Sequence, residues 1–498
     1  MPPTLFQGLT AIGQWAQQHP AVILGTFGGV PLLAGGLHLL TGGARRQRDT
    51  HGSARWATYR EVRRSGLSQT QGVVVGTMRE QLFFDNGPTH LFLVAPTRSG
   101  KGVFHMQPTL RMGWPGSALV LDPKRGENYE VSWQARTHLG RVEAFAPFGP
   151  ASACINVLDT VRLRTLQEHA DALCIAQSLV APHRLATESA TSLHFRELAA
   201  MLLTAAILHV CYTSPRPSLG GTWTFLTQQH PTLAACLQTM RRTQHTPLGV
   251  HPAIAQLTTA IQNITGDREL SSVWSTVVRP LSLYADPLIA ASTDTSTLRL
   301  EDLQQGAHPL SLYLLAPSVR SLERLHPVYR VIVDVAMERL MDRAVTAYRH
   351  RLLVCADELP AYGYMHALNK GAGDMAGYGI KGFYVAQDLD QFEGTYGEQN
   401  TIWGNTDTKL FHAPANEQTA ERISRYLLGP ATVSNPVASR QGLFGQSSVS
   451  FQVVERPLLT PDEVQGLDPV CLLVRRTGTK PMRLAKFGYD PTRREEGR

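Results

Sequence analysis

The stretch VAPTRSGKGVFHMQPTL, residues 94–110, constrains this chain more than any other. An apolar run, Leu91 to Val94, enters a short loop of Ala95, Pro96, Thr97, Arg98, Ser99, Gly100 and Lys101, and residues 103–114 read as the helix that follows. A strand that turns through such a loop into a helix aims backbone N–H groups at an anion, where the helix dipole also favours negative charge. The pattern that marks phosphate loops, G-x-x-x-x-G-K-[ST], is missed twice. Ala95 stands at the first glycine, and Gly102 stands where the metal-binding hydroxyl belongs. Ala95 fits if its φ is negative, whereas Gly102 removes an oxygen. Gly100 sits where backbone approach is closest, and Lys101 would reach the β- and γ-phosphates. Taken alone, residues 95–102 fit either a nucleotide cradle or a lysine in a surface turn.

A second motif decides between them. LLVCADE, residues 352–358, is an apolar strand ending in adjacent acids, Asp357 and Glu358. In a phosphate-loop ATPase the first acid orients the water shell of Mg2+ and the second acts as base for the attacking water. GFYVAQ, residues 382–387, ends a third apolar run on Gln387, a residue type able to sense the γ-phosphate and position water. The chain order 101, 357/358, 387 is that of RecA-type motors, in which the glutamine-bearing strand lies between the other two. The expectation is an α/β fold of RecA-like type with a mostly parallel sheet, binding ATP and Mg2+. Lys101, Glu358 and Gln387 are the candidate catalytic residues, and Asp357 the metal acid.

The remaining chain supplies context. Hydrophobic residues are 43% and charged residues 17%, which suits several globular domains in 498 residues. The net charge of +7 fits a nucleic-acid or acidic-membrane partner, or simply a basic surface. The 6 cysteines are scattered with no C-x-x-C pair, which argues for a reducing compartment and against a cysteine metal site. The first Asp, Glu, Lys or Arg is Arg45, and residues 21–40, AVILGTFGGVPLLAGGLHLL, are almost wholly apolar. About 20 such residues span a bilayer as a helix, and Arg45, Arg46 and Arg48 directly afterwards put that end in the cytoplasm. A buried hairpin or core helix is the alternative for this segment, with Pro31 and its glycines in favour. Between residues 161 and 300 apolar residues recur at helical spacing, as in Phe195, Leu198, Leu202, Ala205 and Leu208, and no strand is expected. The expected organisation is a membrane anchor (1–44), a nucleotide-binding domain in two parts (45–160 and 301–498), and an all-α insertion (161–300) between them. Within the sheet parts, strand signals lie at 72–94, 117–127, 309–317, 351–359, 379–388, 406–415 and 470–476.

These segments also resemble a known family. HGSARWA (51–57), APTRSGKG (95–102), VLDPKRGE (120–127), DELPAYG (357–363), GYGIKGFYVAQD (377–388) and RPLLTPDEV (456–464) resemble, in order, the type IV secretion coupling proteins of the TraG/VirD class. The resemblance implies a homohexameric ATPase of the bacterial inner membrane, its bulk cytoplasmic. Such a motor would recruit single-stranded DNA with its relaxase, or a protein substrate, and deliver it to the secretion channel. It implies that a loop reading A-P-T-R-S-G-K-G works despite Ala95 and Gly102, with Asp357 carrying more of the metal. Asp122, Lys124 and Glu127 match a family strand-end motif and are expected near the nucleotide or a subunit contact. Arg98, Arg422 and Arg425 are candidates for an arginine that completes a neighbour's site. Two spans are common in the family, whereas only one is expected here. A non-hydrolysing docking platform is the other function class, favoured by the hydroxyl missing at Gly102. A duplex DNA pump is disfavoured by the family-specific segments.

Overall fold

The computed structural model describes residues 54–149, 153–180, 190–229, 232–264, 266–342, 347–440 and 447–488. The apolar segment 21–40 and the whole expected anchor, 1–44, lie outside the described residues. The chain forms two compact units, one of residues 56–420 with 464–498, the other of residues 421–463 with the amino-terminal 55.

The larger unit is built on an 11-stranded sheet in the order β2-β1-β13-β12-β9-β3-β8-β7-β4-β6-β5. Its strands are β1 (Val73–Met78), β2 (Gln81–Asp85), β3 (His90–Val94), β4 (Ser117–Asp122), β5 (Arg141–Phe145), β6 (Leu310–Leu315), β7 (Leu352–Ala356), β8 (Ile380–Ala386), β9 (Thr406–Phe411), β12 (Cys471–Arg476) and β13 (Met482–Ala485). From β9 across to β5 every pairing is parallel. From β9 outward to β2 every pairing is antiparallel. The central strands β3, β4, β7 and β8 are buried at every position. Strands covered on both faces need continuous apolar runs rather than alternation, and HLFLV, SALVLD, LLVCA and IKGFYVA supply them. Lys381 is the exception inside β8. It is fully buried, and its Nζ lies 3.3 Å from the equally buried Asp85 Oδ1.

Register brings the functional strand ends level. Val94 pairs with Ala386, so the phosphate loop and Gln387 leave the sheet side by side. Leu121 pairs with Ala356, so Asp122 and Asp357 do the same one strand further on. β8 lies between β3 and β7, the order expected of a RecA-type motor.

Between β5 and β6 every named element is helical among the described residues, including Glu168–Val180, Ala190–Thr213, Leu233–Arg242, Pro252–Gln262 and Asp267–Leu281. Ala190–Thr213 is the centre of this assembly. Leu202, Leu203, Ala205, Ala206, Ile207 and Leu208 are all fully buried, which puts apolar contacts around its whole circumference. Its Ser192–Thr213 part is long and apolar enough to cross a membrane, yet 67% of its most apolar window is buried against protein. Side-chain caps start the shorter helices: Thr232 Oγ1 accepts from Ala235 N, and His251 Nδ1 from Ala253 N. The α-helix Asp267–Leu281 ends one residue after Pro280 and passes into a 3-10 turn over Ser282–Ala285.

The smaller unit contains a two-stranded antiparallel hairpin, β10 (Pro430–Arg440) with β11 (Ser447–Pro457), in register from Pro430–Pro457 to Arg440–Ser447. This hairpin was not anticipated from sequence, and neither were β5 and β13.

Candidate nucleotide site

The loop after β3 is held in a shape that its sequence dictates. Arg98 and Gly100 both adopt positive φ, 63° and 85°. At Gly100 a Cβ would run into the ring of Phe104, so glycine is required there on both counts. Ser99 closes the turn, its N–H and Oγ both donating to Pro96 O at 3.2 and 2.7 Å. Helical backbone begins at Lys101 and continues through two π-wound stretches, Gly102–Met106 and Thr109–Gly113. The expected helix over 103–114 is therefore present but wound wider than an α-helix, a winding that recurs near functional sites.

Four of the predicted residues meet in one hydrogen-bonded chain. Lys101 Nζ donates to Glu358 Oε2 at 2.5 Å. Gln387 Nε2 donates to the same Oε2 at 3.0 Å, and Gln387 Oε1 accepts from Thr97 Oγ1 at 2.9 Å. Asp357 stands alongside, its Oδ1 4.0 Å from Lys101 Nζ and its Oδ2 3.4 Å from Lys124 Nζ. Lys101, Asp357 and Glu358 are 4, 1 and 5% exposed, so their charges face one another rather than water. Glu358 takes left-handed backbone, φ 61° and ψ 55°, which turns its carboxylate away from the line of β7. Such a conformation costs roughly 1–2 kcal/mol for a non-glycine residue.

Asp122 forms a second layer. Its Oδ2 accepts from the backbone N–H groups of Asn128 and Tyr129 at 2.8 and 3.0 Å, tying down the start of the helix Glu127–Thr137. Burial, and more weakly the nearby Asp357, push this carboxyl up to about 7 against the pull of those N–H donors. Asn128 Nδ2 lies 3.4 Å from both Asp122 Oδ1 and Asp357 Oδ2. Three buried oxygens around this point have no hydrogen-bond donor: Asn128 Oδ1, Asp357 Oδ1 and Glu358 Oε1.

Residues outside every motif support the loop from below. His412 follows β9 at the level of Ala95. Its N–H donates to Val94 O at 3.0 Å and its Nδ1 lies 3.1 Å from Ser99 Oγ. His105 Nε2 is 2.9 Å from His412 Nε2, and both rings are buried. Burial lowers the His105 pKa to about 4 and drives that of His412 well below its ordinary value. Lys486, just after β13, donates to Ser99 O at 3.3 Å. No motif spacing flags these positions, because strand pairing alone carries them to the loop. Among the other candidates, Glu127 and Arg98 are exposed. Arg422 and Arg425 belong to the smaller unit, where Arg425 pairs with Glu421 at 3.1 Å.

Known proteins resemble this chain in sequence and in fold. The conjugal transfer protein TraG of Escherichia coli is 32% identical over 460 residues, covering 83% of this chain and 70% of that protein. The protein VirD4 of Agrobacterium fabrum is 27% identical over 468 residues, covering 89% of this chain and 66% of that one. Among solved structures, the plasmid coupling protein TrwB with a non-hydrolysable ATP analogue matches with a TM-score of 0.65 at 15% identity, covering 88% of this chain and 94% of that one. TrwB has also been solved with ADP and Mg2+, and that structure matches with a TM-score of 0.62 at 15% identity, covering 88% of this chain and 93% of that one. At such identity the likeness is one of fold. The family model described as type IV secretory system conjugative DNA transfer matches residues 55–490, and the chain belongs to that family.

Proposed function

We propose that this chain is the coupling ATPase of a conjugative type IV secretion system. It recruits single-stranded DNA with its relaxase, or a protein substrate, and drives delivery to the channel by ATP hydrolysis. The observation that carries the proposal is the meeting of Lys101, Asp357, Glu358 and Gln387, which come from three separate strand ends, in one buried polar cluster.

The residues fit ATP and Mg2+. Residues 95–102 wrap an anion with loop backbone, and Lys101 takes the β- and γ-phosphates. Asp357 would hold Mg2+, in keeping with an Oδ1 that accepts no hydrogen bond. When bound, the metal neutralises phosphate charge. Glu358 accepts the proton of the attacking water at its carboxylate, and its free Oε1 leaves an acceptor available for that. Gln387 joins the base to Thr97 and so links water positioning to the loop.

TraG is named as a conjugal transfer protein and TrwB as a plasmid coupling protein, which supports the choice of cargo pathway. We assign the chain to the inner membrane through residues 21–40, and to a homohexamer in which Arg98, Arg422 or Arg425 completes the neighbour's site. In this reading the helical stretch within 161–300 selects cargo while the sheet supplies force. The competing reading is a docking platform whose nucleotide site is structural. Gly102 favours it, and the intact Asp357–Glu358 pair opposes it.

The test is ATP hydrolysis by the purified full chain, with and without single-stranded DNA, across protein concentration. A hydrolysing ring predicts turnover that rises with concentration and with DNA. DNA affinity should also fall steeply between roughly 50 and 200 mM salt, as phosphate-dominated binding does. Absence of turnover under all these conditions would favour the platform.

A further inference from the structure

We infer that Asn128 Oδ1 is the metal ligand that replaces the hydroxyl missing at Gly102, an inference that rests on the nucleotide-site reading above. Asn128 lies in the first turn of the helix after β4 and is 1% exposed. Its neighbours fix the orientation of its amide. One end of the amide faces Asp122 Oδ1 and Asp357 Oδ2, 3.4 Å from each. Asp357 Oδ2, which also faces Lys124 Nζ at 3.4 Å, is an acceptor, so that end is the NH2 group and the oxygen lies on the other side. The backbone N–H of Asn128, bonded to Asp122 Oδ2 at 2.8 Å, holds the residue in place.

The oxygen so oriented faces the phosphate loop. It lies 3.9 Å from where a Cβ on Gly102 would stand, so the hydroxyl of a serine or threonine at 102 would reach into the same space. Asn128 Oδ1 is buried and has no hydrogen-bond donor. Leaving a buried acceptor unpaired is costly and calls for an explanation. Asp357 Oδ1 and Glu358 Oε1 share that condition close by. Oxygens of carboxylate and amide type without donors suit a hard divalent cation.

Nothing in the backbone requires glycine at 102. Its φ lies outside the left-handed region, and its nearest side-chain atoms, Gln107 Nε2 at 3.7 Å and Asn128 Oδ1 at 3.9 Å, are at ordinary contact distance. A serine is therefore accommodated at 102, which makes the exchange of oxygens between 102 and 128 testable in both directions.

The experiment uses the full chain, Mn2+ as the probe metal and a non-hydrolysable ATP analogue, with metal binding read by electron paramagnetic resonance. Asn128→Ala is expected to raise the Mn2+ Kd by about tenfold, the lower end of what loss of a group at a metal site costs. Adding Gly102→Ser to that variant should return the Kd to within about threefold of wild type. In wild-type protein carrying 13C-labelled asparagine, the bound Mn2+ should show hyperfine coupling to an amide carbon. A Kd for Asn128→Ala equal to wild type overturns the inference. A weakened Kd that Gly102→Ser leaves unrestored also overturns it, because Asn128 then acts only by holding Asp122 and Asp357. Should Asn128→Ala fail to fold, absence of the 13C coupling in wild type overturns it alone. If wild type binds the analogue no better with Mn2+ than without, the nucleotide-site reading itself fails.

Discussion

Lys101 and Glu358 hold one another, Nζ to Oε2 at 2.5 Å, from opposite sides of a buried site. The phosphate lysine and the proposed base are therefore each other's counter-ion before any nucleotide arrives. An incoming phosphate must compete with Glu358 for Lys101, and its success frees the carboxylate to face water. Lys101→Ala removes a charge-assisted contact to phosphate worth roughly 1.5–3 kcal/mol, so nucleotide affinity should fall about 10- to 100-fold. Calorimetric titration with a non-hydrolysable analogue checks this. Unchanged affinity would place the phosphates elsewhere.

Gly100→Ala should disable the same site without touching a charged group. The left-handed backbone costs an alanine roughly 1–2 kcal/mol, and its Cβ would displace the Phe104 ring at the start of the helix. Nucleotide binding should weaken while far-ultraviolet circular dichroism stays native. Native affinity in Gly100→Ala would show that the loop's shape is not what the nucleotide reads.

Stability should decline on mild acidification. His90 and His105 are both lowered to about 4 by burial, so between about 6.5 and 4 the unfolded chain takes up protons there and the folded chain does not. Each then removes about 1.4 kcal/mol per pH unit. Asp122, raised to about 7, acts with the opposite sign, because below that pH the folded state holds a proton that the unfolded state holds only near its ordinary value. His412, also driven well below its ordinary value by burial, acts with His90 and His105, and these histidines against Asp122 predict a lower urea midpoint at pH 5 than at pH 7. A double variant, His90→Asn with His105→Gln, should show a shallower decline. An equal or higher midpoint for wild type at pH 5 would mean that Asp122 dominates.

The site was legible where a strand ends in its own chemistry. Leu91–Val94 before the loop, LLVCA before Asp357 and FYVA before Gln387 each announce a buried parallel strand, and the functional residue follows within a few positions. Asn128 was not legible, because it follows the motif residues 122–127 and matters only through the bend that brings it back to Asp357. His105 and His412 are 307 residues apart and meet only because β9 pairs with β3. The strands missed have equally physical reasons. β5, RVEAF, carries two charges in five residues and reads as a surface segment, yet it closes the parallel edge beside β6. β10 contains Pro436 and few apolar residues, so nothing in its pattern marks it as a strand.

The central claim is that the buried cluster at residues 101, 357, 358 and 387 hydrolyses ATP with Glu358 as its base. Glu358→Gln tests it most directly, since glutamine keeps the size of the side chain and an acceptor for Lys101 while losing the ability to take a proton. Measured on the purified full chain, the variant should bind ATP at least as tightly as wild type, since Lys101 no longer has a carboxylate to leave, and lose turnover by about 10²–10⁴-fold, the range a general base supplies. Wild-type turnover by Glu358→Gln would contradict the claim.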